Sequence, residues 1–136
     1  MEPVKTLSVL GEQIDVMVTS QMSNGALAFI VQTTLPGGGP PPHQHSREDE
    51  TFTVLEGEFK LLENGKWRSI PKGEYAFLPR GSVHTFRNVG TTPGKIGVFI
   101  TPGGFEEFFE QIESIPSDNM RKILEIGGHF GLVFHL

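Results

Sequence analysis

Hydrophobic and polar positions alternate with a period of two along most of this chain. Ile14, Val16 and Val18 are interleaved with Asp15, Met17 and Thr19, the spacing of a strand with one face buried. Ser23-Asn24-Gly25 predicts a turn into a second strand over Ala26-Leu27-Ala28-Phe29-Ile30-Val31. Glu50, Phe52 and Val54 share one phase, with Thr51 and Thr53 in the other. Phe59-Lys60-Leu61-Leu62 and Trp67-Arg68-Ser69-Ile70 flank Glu63-Asn64-Gly65-Lys66, the strongest hairpin signal in the sequence. Tyr75-Ala76-Phe77-Leu78 runs into a Pro79-Arg80-Gly81 turn, and His84–Asn88 and Lys95–Ile100 add two more strands. Eight or so evenly spaced strands predict an all-β, double-sheet barrel.

After Thr101-Pro102-Gly103-Gly104 the period changes. Phe105, Phe108, Phe109 and Ile112 fall at i, i+3, i+4 and i+7, with Glu106, Glu107, Glu110 and Gln111 between them, which predicts an amphipathic helix. A shorter helix is expected from about Ser117 to Ile126, capped by Ser117 or Asp118 and stopped by Gly127-Gly128. The division this suggests is residues 1–112 for the barrel with its following helix, and 113–136 for a second helix and tail packed on it. Leu132-Val133-Phe134 is apolar enough to dock on the barrel or on a second subunit.

Composition narrows the class. The 17 glycines and 10 prolines punctuate short apolar runs instead of pooling in one segment, and 136 residues suffice for one real core. A formal charge of −5 argues against a nucleic-acid or acidic-membrane surface and for a small-molecule partner. Residues 1–20 contain Glu2, Lys5, Glu12 and Asp15 and no unbroken apolar run. Neither a signal peptide nor a membrane span is expected, and with no cysteine the expected compartment is the cytoplasm.

The chemistry lies in His43-Gln44-His45-Ser46-Arg47-Glu48-Asp49-Glu50 and in Pro79-Arg80-Gly81-Ser82-Val83-His84. His43 and His45, two apart on a strand, point to the same side. Glu50 is out of phase with them unless Ser46–Asp49 turns a corner, after which it points inward. An unpartnered carboxylate there is costly, and an ion shared with the histidines removes the cost. His43, His45, Glu50 and His84 therefore read as a metal site. Three imidazoles and one carboxylate leave two positions open on an octahedral ion, which suits divalent Fe, Mn, Co or Ni and also Cu or Zn. Absence of cysteine excludes a thiolate zinc site and a cysteine nucleophile. Glu50 is also the candidate catalytic base, and Phe52 and Phe86, in phase with Glu50 and His84, are candidates for the substrate pocket. Arg47, Arg80, Glu48 and Asp49 are expected to be solvated turn charges, Asn88 a strand-end residue, and His129 and His135 to stand outside the site.

These segments match the two motifs of the cupin superfamily, G(X)5HXH(X)3-4E(X)6G and G(X)5PXG(X)2H(X)3N. Gly37, His43, His45, Glu50 and Gly57 supply the first, and Gly73, Pro79, Gly81, His84 and Asn88 the second, without a gap. The resemblance implies a jelly-roll barrel, or double-stranded β-helix, with His43, His45, Glu50 and His84 binding one divalent metal inside it, and pairing as a homodimer. The run from His43 to Gly57 is most similar to the small single-domain cupins grouped with quercetin 2,3-dioxygenase. That similarity implies a metal-dependent dioxygenase acting on a hydroxylated or enolisable, flavonol-like substrate. The alternatives the fold allows are a metal-dependent isomerase or lyase without redox chemistry and a non-catalytic small-molecule-binding module.

Overall fold

A computed structural model describes residues 2–136. It contains eleven strands and two helices. The strands are β1 Lys5–Val9, β2 Glu12–Val18, β3 Ala28–Thr34, β4 His43–His45, β5 Asp49–Glu56, β6 Phe59–Glu63, β7 Lys66–Ile70, β8 Tyr75–Leu78, β9 His84–Asn88, β10 Gly94–Thr101 and β11 Leu132–Phe134. The helices are α1 Glu106–Ile112 and α2 Met120–His129. The strands form two antiparallel sheets, ordered β1-β2-β3-β10-β5-β8 and β11-β4-β9-β6-β7. This is the expected jelly roll, although among the described residues no ladder joins the two sheets into one closed cylinder.

Alternation puts the core between the sheets. Ile14 and Val16 of β2, Ala28 and Ile30 of β3, Phe52 and Val54 of β5, and Ile96, Val98 and Ile100 of β10 are all buried, and burying each large aliphatic or aromatic side chain contributes about 1.5–3 kcal/mol. The Glu63–Lys66 hairpin turns on Asn64 and Gly65, both at positive φ, and pairs Glu63 with Lys66 as its sequence requires.

Two strands escape the sequence reading. β1 pairs with β2 across a tight turn at Leu10 and Gly11. Three-residue β11 is too short to register as a pattern, yet Leu132, Val133 and Phe134 pair with His45, Gln44 and His43. The tail is thus a strand of the sheet that carries His43, His45 and His84 as well as an apolar cover. Its hold is reinforced by Ser46 N–H donating to Gly131 O at 2.9 Å and His135 N–H donating to Pro42 O at 2.7 Å.

The second helix differs at both ends from expectation. Its cap is Asn119, whose side chain accepts from Lys122 N–H at 3.4 Å, so neither Ser117 nor Asp118 starts it. It also runs through Gly127-Gly128 instead of stopping there. Gly127 is buried inside the helix, where a Cβ would make ordinary contacts with Leu132 at 3.5 Å and Phe108 at 3.6 Å, so it is a packed helical position and not a stop. The chain leaves the helix at Gly131, which has φ +75°.

Helix α1 covers one open side of the double sheet. Phe105, Phe108 and Ile112 face inward and are buried, while Lys5 pairs with Glu110 at 2.7 Å and Ser8 N–H donates to Glu113 at 2.7 Å. Glu106 is not on the solvent face as its spacing suggests. It is buried and accepts from the N–H groups of Ser20 at 2.5 Å and Gly104 at 2.7 Å, fixing the start of the helix against the β2–β3 connection. We expect Glu106→Ala to destabilise the protein by about 2–4 kcal/mol, because two half-buried backbone donors lose the buried carboxylate that satisfies both. Urea unfolding checks this, with a midpoint shift at unchanged slope as the expected result.

Candidate metal centre

Three strands bring the four candidate ligands together. His43 and His45 lie on β4, Glu50 near the start of β5 and His84 at the start of β9, and one ligand atom from each falls within 4.8 Å of all the others. The Gly37–Pro42 loop carries the chain from one sheet to the other. Gly37 N–H donates to Asn88 O and Asn88 N–H to Gly38 O, so the loop runs beside β9 until His43 pairs with His84. Asn88 is a buried strand-end residue, its Nδ2 donating to Thr34 O and Thr92 O.

The predicted corner exists, and its charges are more ordered than solvated turn charges. Asp49 accepts from the Arg80 backbone N–H at 2.8 Å and pairs with its guanidinium at 3.2 Å. These hydrogen bonds hold the Asp49 carboxyl below its ordinary value. Gly81 N–H donates to His45 O at 2.7 Å. The turn that delivers His84 is therefore tied both to β4 and to the residue preceding Glu50. Arg47, as expected, is exposed and outside the cluster, donating to His129 O at the end of α2. His129 and His135 also lie apart from the four.

Glu48 departs furthest from expectation, being 7% exposed where a solvated charge was predicted. Its Oε1 and the Nδ1 of His45 are both buried without a hydrogen-bond partner, and they face each other at 3.8 Å. Burial raises the Glu48 carboxyl above its ordinary value, with His45 partly opposing the shift.

The remaining ring nitrogens make a consistent set. His43 Nδ1 lies 3.0 Å from Pro41 O, and His84 Nδ1 lies 3.2 Å from Ser82 O. A carbonyl can only accept, so each Nδ1 carries the proton and leaves Nε2 as the lone-pair nitrogen. The Nε2 atoms of His84 and His45 stand 3.0 and 3.2 Å from Glu50 Oε1. A lone pair facing a carboxylate oxygen at that distance is repulsive unless a positive charge, a proton or a metal ion, lies between them.

Electrostatics agree with that need. Burial would raise the Glu50 carboxyl, but the charge and hydrogen bonds of His45 and His84 overcome it and hold Glu50 well below the usual carboxylate range. Burial would lower His45, yet the adjacent Glu50 raises it. His43, desolvated and beside two other imidazoles, is lowered to about 4. A carboxylate held anionic and an imidazole held neutral are the forms a divalent cation binds. The donor set fits such an ion.

The cluster opens into a cavity of about 170 Å³, roughly ten times the space one water requires. Phe52 and Phe86 both line it, their rings 6.1 Å apart and nearly parallel, and Phe105 closes over His45 with ring centroids 4.5 Å apart. Glu12 and Gln32 also line it, and neither stands out as a sequence motif. Their signal is phase: Glu12 precedes Ile14 and Val16, and Gln32 follows Ala28 and Ile30, at inward positions.

Comparison with known proteins agrees with the motifs. A family model described as "Cupin domain" matches residues 30–101. The chain is 28% identical over 103 residues to a quercetin 2,3-dioxygenase of Bacillus subtilis, covering 75% of this chain and 30% of that protein. It is 31% identical over 81 residues to an oxalate-binding protein of Thermotoga maritima, covering 60% of this chain and 67% of the relative. A solved structure of a predicted oxalate decarboxylase from Thermotoga maritima superposes with a TM-score of 0.64 at 26% identity, over 72% of this chain and 90% of that one. Among the described residues no helix is long and apolar enough to cross a membrane. Fold, motifs and family match together make this chain a member of the cupin family.

Proposed function

We propose that the protein is a metal-dependent oxygenase acting on a small hydroxylated or enolisable, flavonol-like substrate, with His43, His45, Glu50 and His84 as the metal ligands. The observation that carries the reading is the buried Glu50 Oε1 facing two imidazole Nε2 atoms at the edge of an aromatic-walled cavity. When bound, a divalent transition metal supplies Lewis acidity and, if redox-active, a route to react with dioxygen. Phe52 and Phe86 form the substrate pocket in this reading. Their rings exclude water and offer flat apolar faces, which suit an aromatic ligand better than a small dianion such as oxalate. The similarity to a quercetin 2,3-dioxygenase points the same way.

Glu50 takes the substrate proton. Its Oε1 is engaged by both imidazoles, so Oε2 is the oxygen left to receive one. Because those neighbours hold the carboxyl low, the transfer favours an acidic enol or enediol hydroxyl over an ordinary alcohol. Glu48 positions His45. A hydrogen bond from His45 Nδ1 to Glu48, which needs a closure of the 3.8 Å gap, fixes the tautomer that presents Nε2 to the cluster.

Two outcomes test this. Protein purified without a nickel column is expected to carry near-stoichiometric Fe, Mn, Co, Ni or Cu by mass spectrometry. His84→Ala should lose it, with affinity down about 100-fold or more, and the loaded wild type should consume oxygen with a flavonol, an enediol or a β-diketone. Zinc as the native metal with turnover in the absence of air would move the assignment to a non-redox isomerase or lyase. Failure to consume oxygen in every metal form would overturn it. Separately, Glu48→Gln is expected to weaken metal binding by about 10- to 100-fold while the fold stays intact, measured by competition with a chromophoric chelator. Unchanged affinity would remove Glu48 from the site.

A further inference from the structure

The inward faces of β2 and β3 are apolar except at one end. Going along β3, Ala28 and Ile30 give way to Gln32 and Thr34, all four buried. On β2, Ile14 and Val16 are preceded by Glu12. The turn between β1 and β2 enforces that placement: Leu10 has φ +51° and Gly11 φ +80°, a two-residue turn of the primed kind that pairs Val9 with Glu12. Val9 is buried, and Glu12 opposite it shares its face.

Glu12 Oε2 is buried with no hydrogen-bond partner. Burial raises the carboxyl above its ordinary value, and the neighbouring Thr34 and Gln32 side chains offset only part of that. The neighbouring Thr34 Oγ1 is likewise buried without a partner, so this end of the cavity carries polar groups whose burial costs free energy in the unliganded protein and which a ligand hydroxyl would help to satisfy. Both Glu12 and Gln32 line the same cavity as the metal cluster.

The two polar ends are well separated. Glu50 pairs with Ile100, and Ile100 with Ala28. Gln32 is four residues farther along β3 and pairs with Ile96, roughly 13 Å of strand. Between the ends the walls are Phe52, Phe86, Ile96 and Val98. Among the described residues no Lys or Arg lines the cavity. A second anionic group on the ligand would therefore meet a carboxyl and no cation.

We propose that Glu12 and Gln32 form a distal recognition site selecting substrates with a metal-directed oxygen pair at one end and a neutral hydroxyl at the other, joined by a flat apolar body. The assignment rests on the oxygenase reading above for the metal-directed end. Glu12 accepts the distal hydroxyl's proton in a hydrogen bond while the Gln32 amide donates to its oxygen, and the Glu12 carboxyl discriminates against carboxylate or phosphate at that position.

Binding of three probes to the Mn(II)-loaded full chain, without oxygen so that nothing turns over, tests the assignment. The probes are a flavonol, the same flavonol with a hydroxyl at the far end of its pendant ring, and one with a carboxylate there, each followed by its absorbance shift. The hydroxylated probe is expected to bind on the order of tenfold more tightly than the parent, and the carboxylated one more weakly than the parent. Glu12→Leu and Gln32→Leu should each reduce the preference for the hydroxyl, whereas Glu12→Gln, which keeps an acceptor, should retain most of it. Manganese content and the circular dichroism melt of each variant confirm that it is loaded and folded. If all three probes bind equally, or the preference survives in both leucine variants, the distal site is wrong while the metal reading stands. If none shifts its absorbance on the loaded wild type, the metal-directed end fails and the distal site falls with it.

Discussion

The arrangement of the whole protein depends on one buried carboxylate. Glu50 is 9% exposed and lies between imidazole nitrogens inside an apolar double sheet. Left alone there, it would be among the most expensive groups in the molecule. Positive charge shared with His45 and His84 is what allows it to stay ionised. The two sheets must therefore meet at this point, since Glu50 belongs to one and the three histidines to the other.

Backbone hydrogen bonds outside the cluster hold that meeting in place. The loop beside β9, the Asp49–Arg80 clamp and the Gly81-to-His45 bond all fix ligand-bearing segments relative to one another. The tail supplies the last element, because β11 pairs along β4 through both histidines. His43 and His84 each hold their outward nitrogen against a backbone carbonyl, an arrangement that orients the ring before any ion arrives, while the outward nitrogen of His45 faces Glu48 at 3.8 Å. The cavity that opens from the cluster is apolar along its middle and polar at both ends. A ligand chosen by such a space is selected by the separation of its polar groups as much as by their kind.

Much of this was legible in the order of residues. Alternation at Ile14–Val18 and Ala28–Ile30, the Asn64-Gly65 turn and the change of period at Phe105 located strands, hairpin and first helix, because those patterns depend on neighbours two to four residues away. The cluster was also legible, since two motifs name all four residues. What was not legible depended on contacts distant in sequence. Glu106 sits in a helical pattern that suggests solvent, but its partners are Ser20 and Gly104. Glu48 belongs to a polar run that reads as a turn, and only the folding of β4 against β5 buries it beside His45. Gly127-Gly128 resembles a helix stop, yet Gly127 packs beside Phe108 and Leu132 and the helix continues to His129.

By itself the sequence determined the all-β class, the phase of the longer strands from β2 onward and the identity of the four converging side chains, for these follow from local stereochemistry and side-chain type. Only the tertiary structure decided that a carboxylate and an amide, Glu12 and Gln32, share a cavity with those four, and that a C-terminal strand completes their sheet. Those facts depend on which strand lies beside which, and that is settled by packing among residues far apart in the chain.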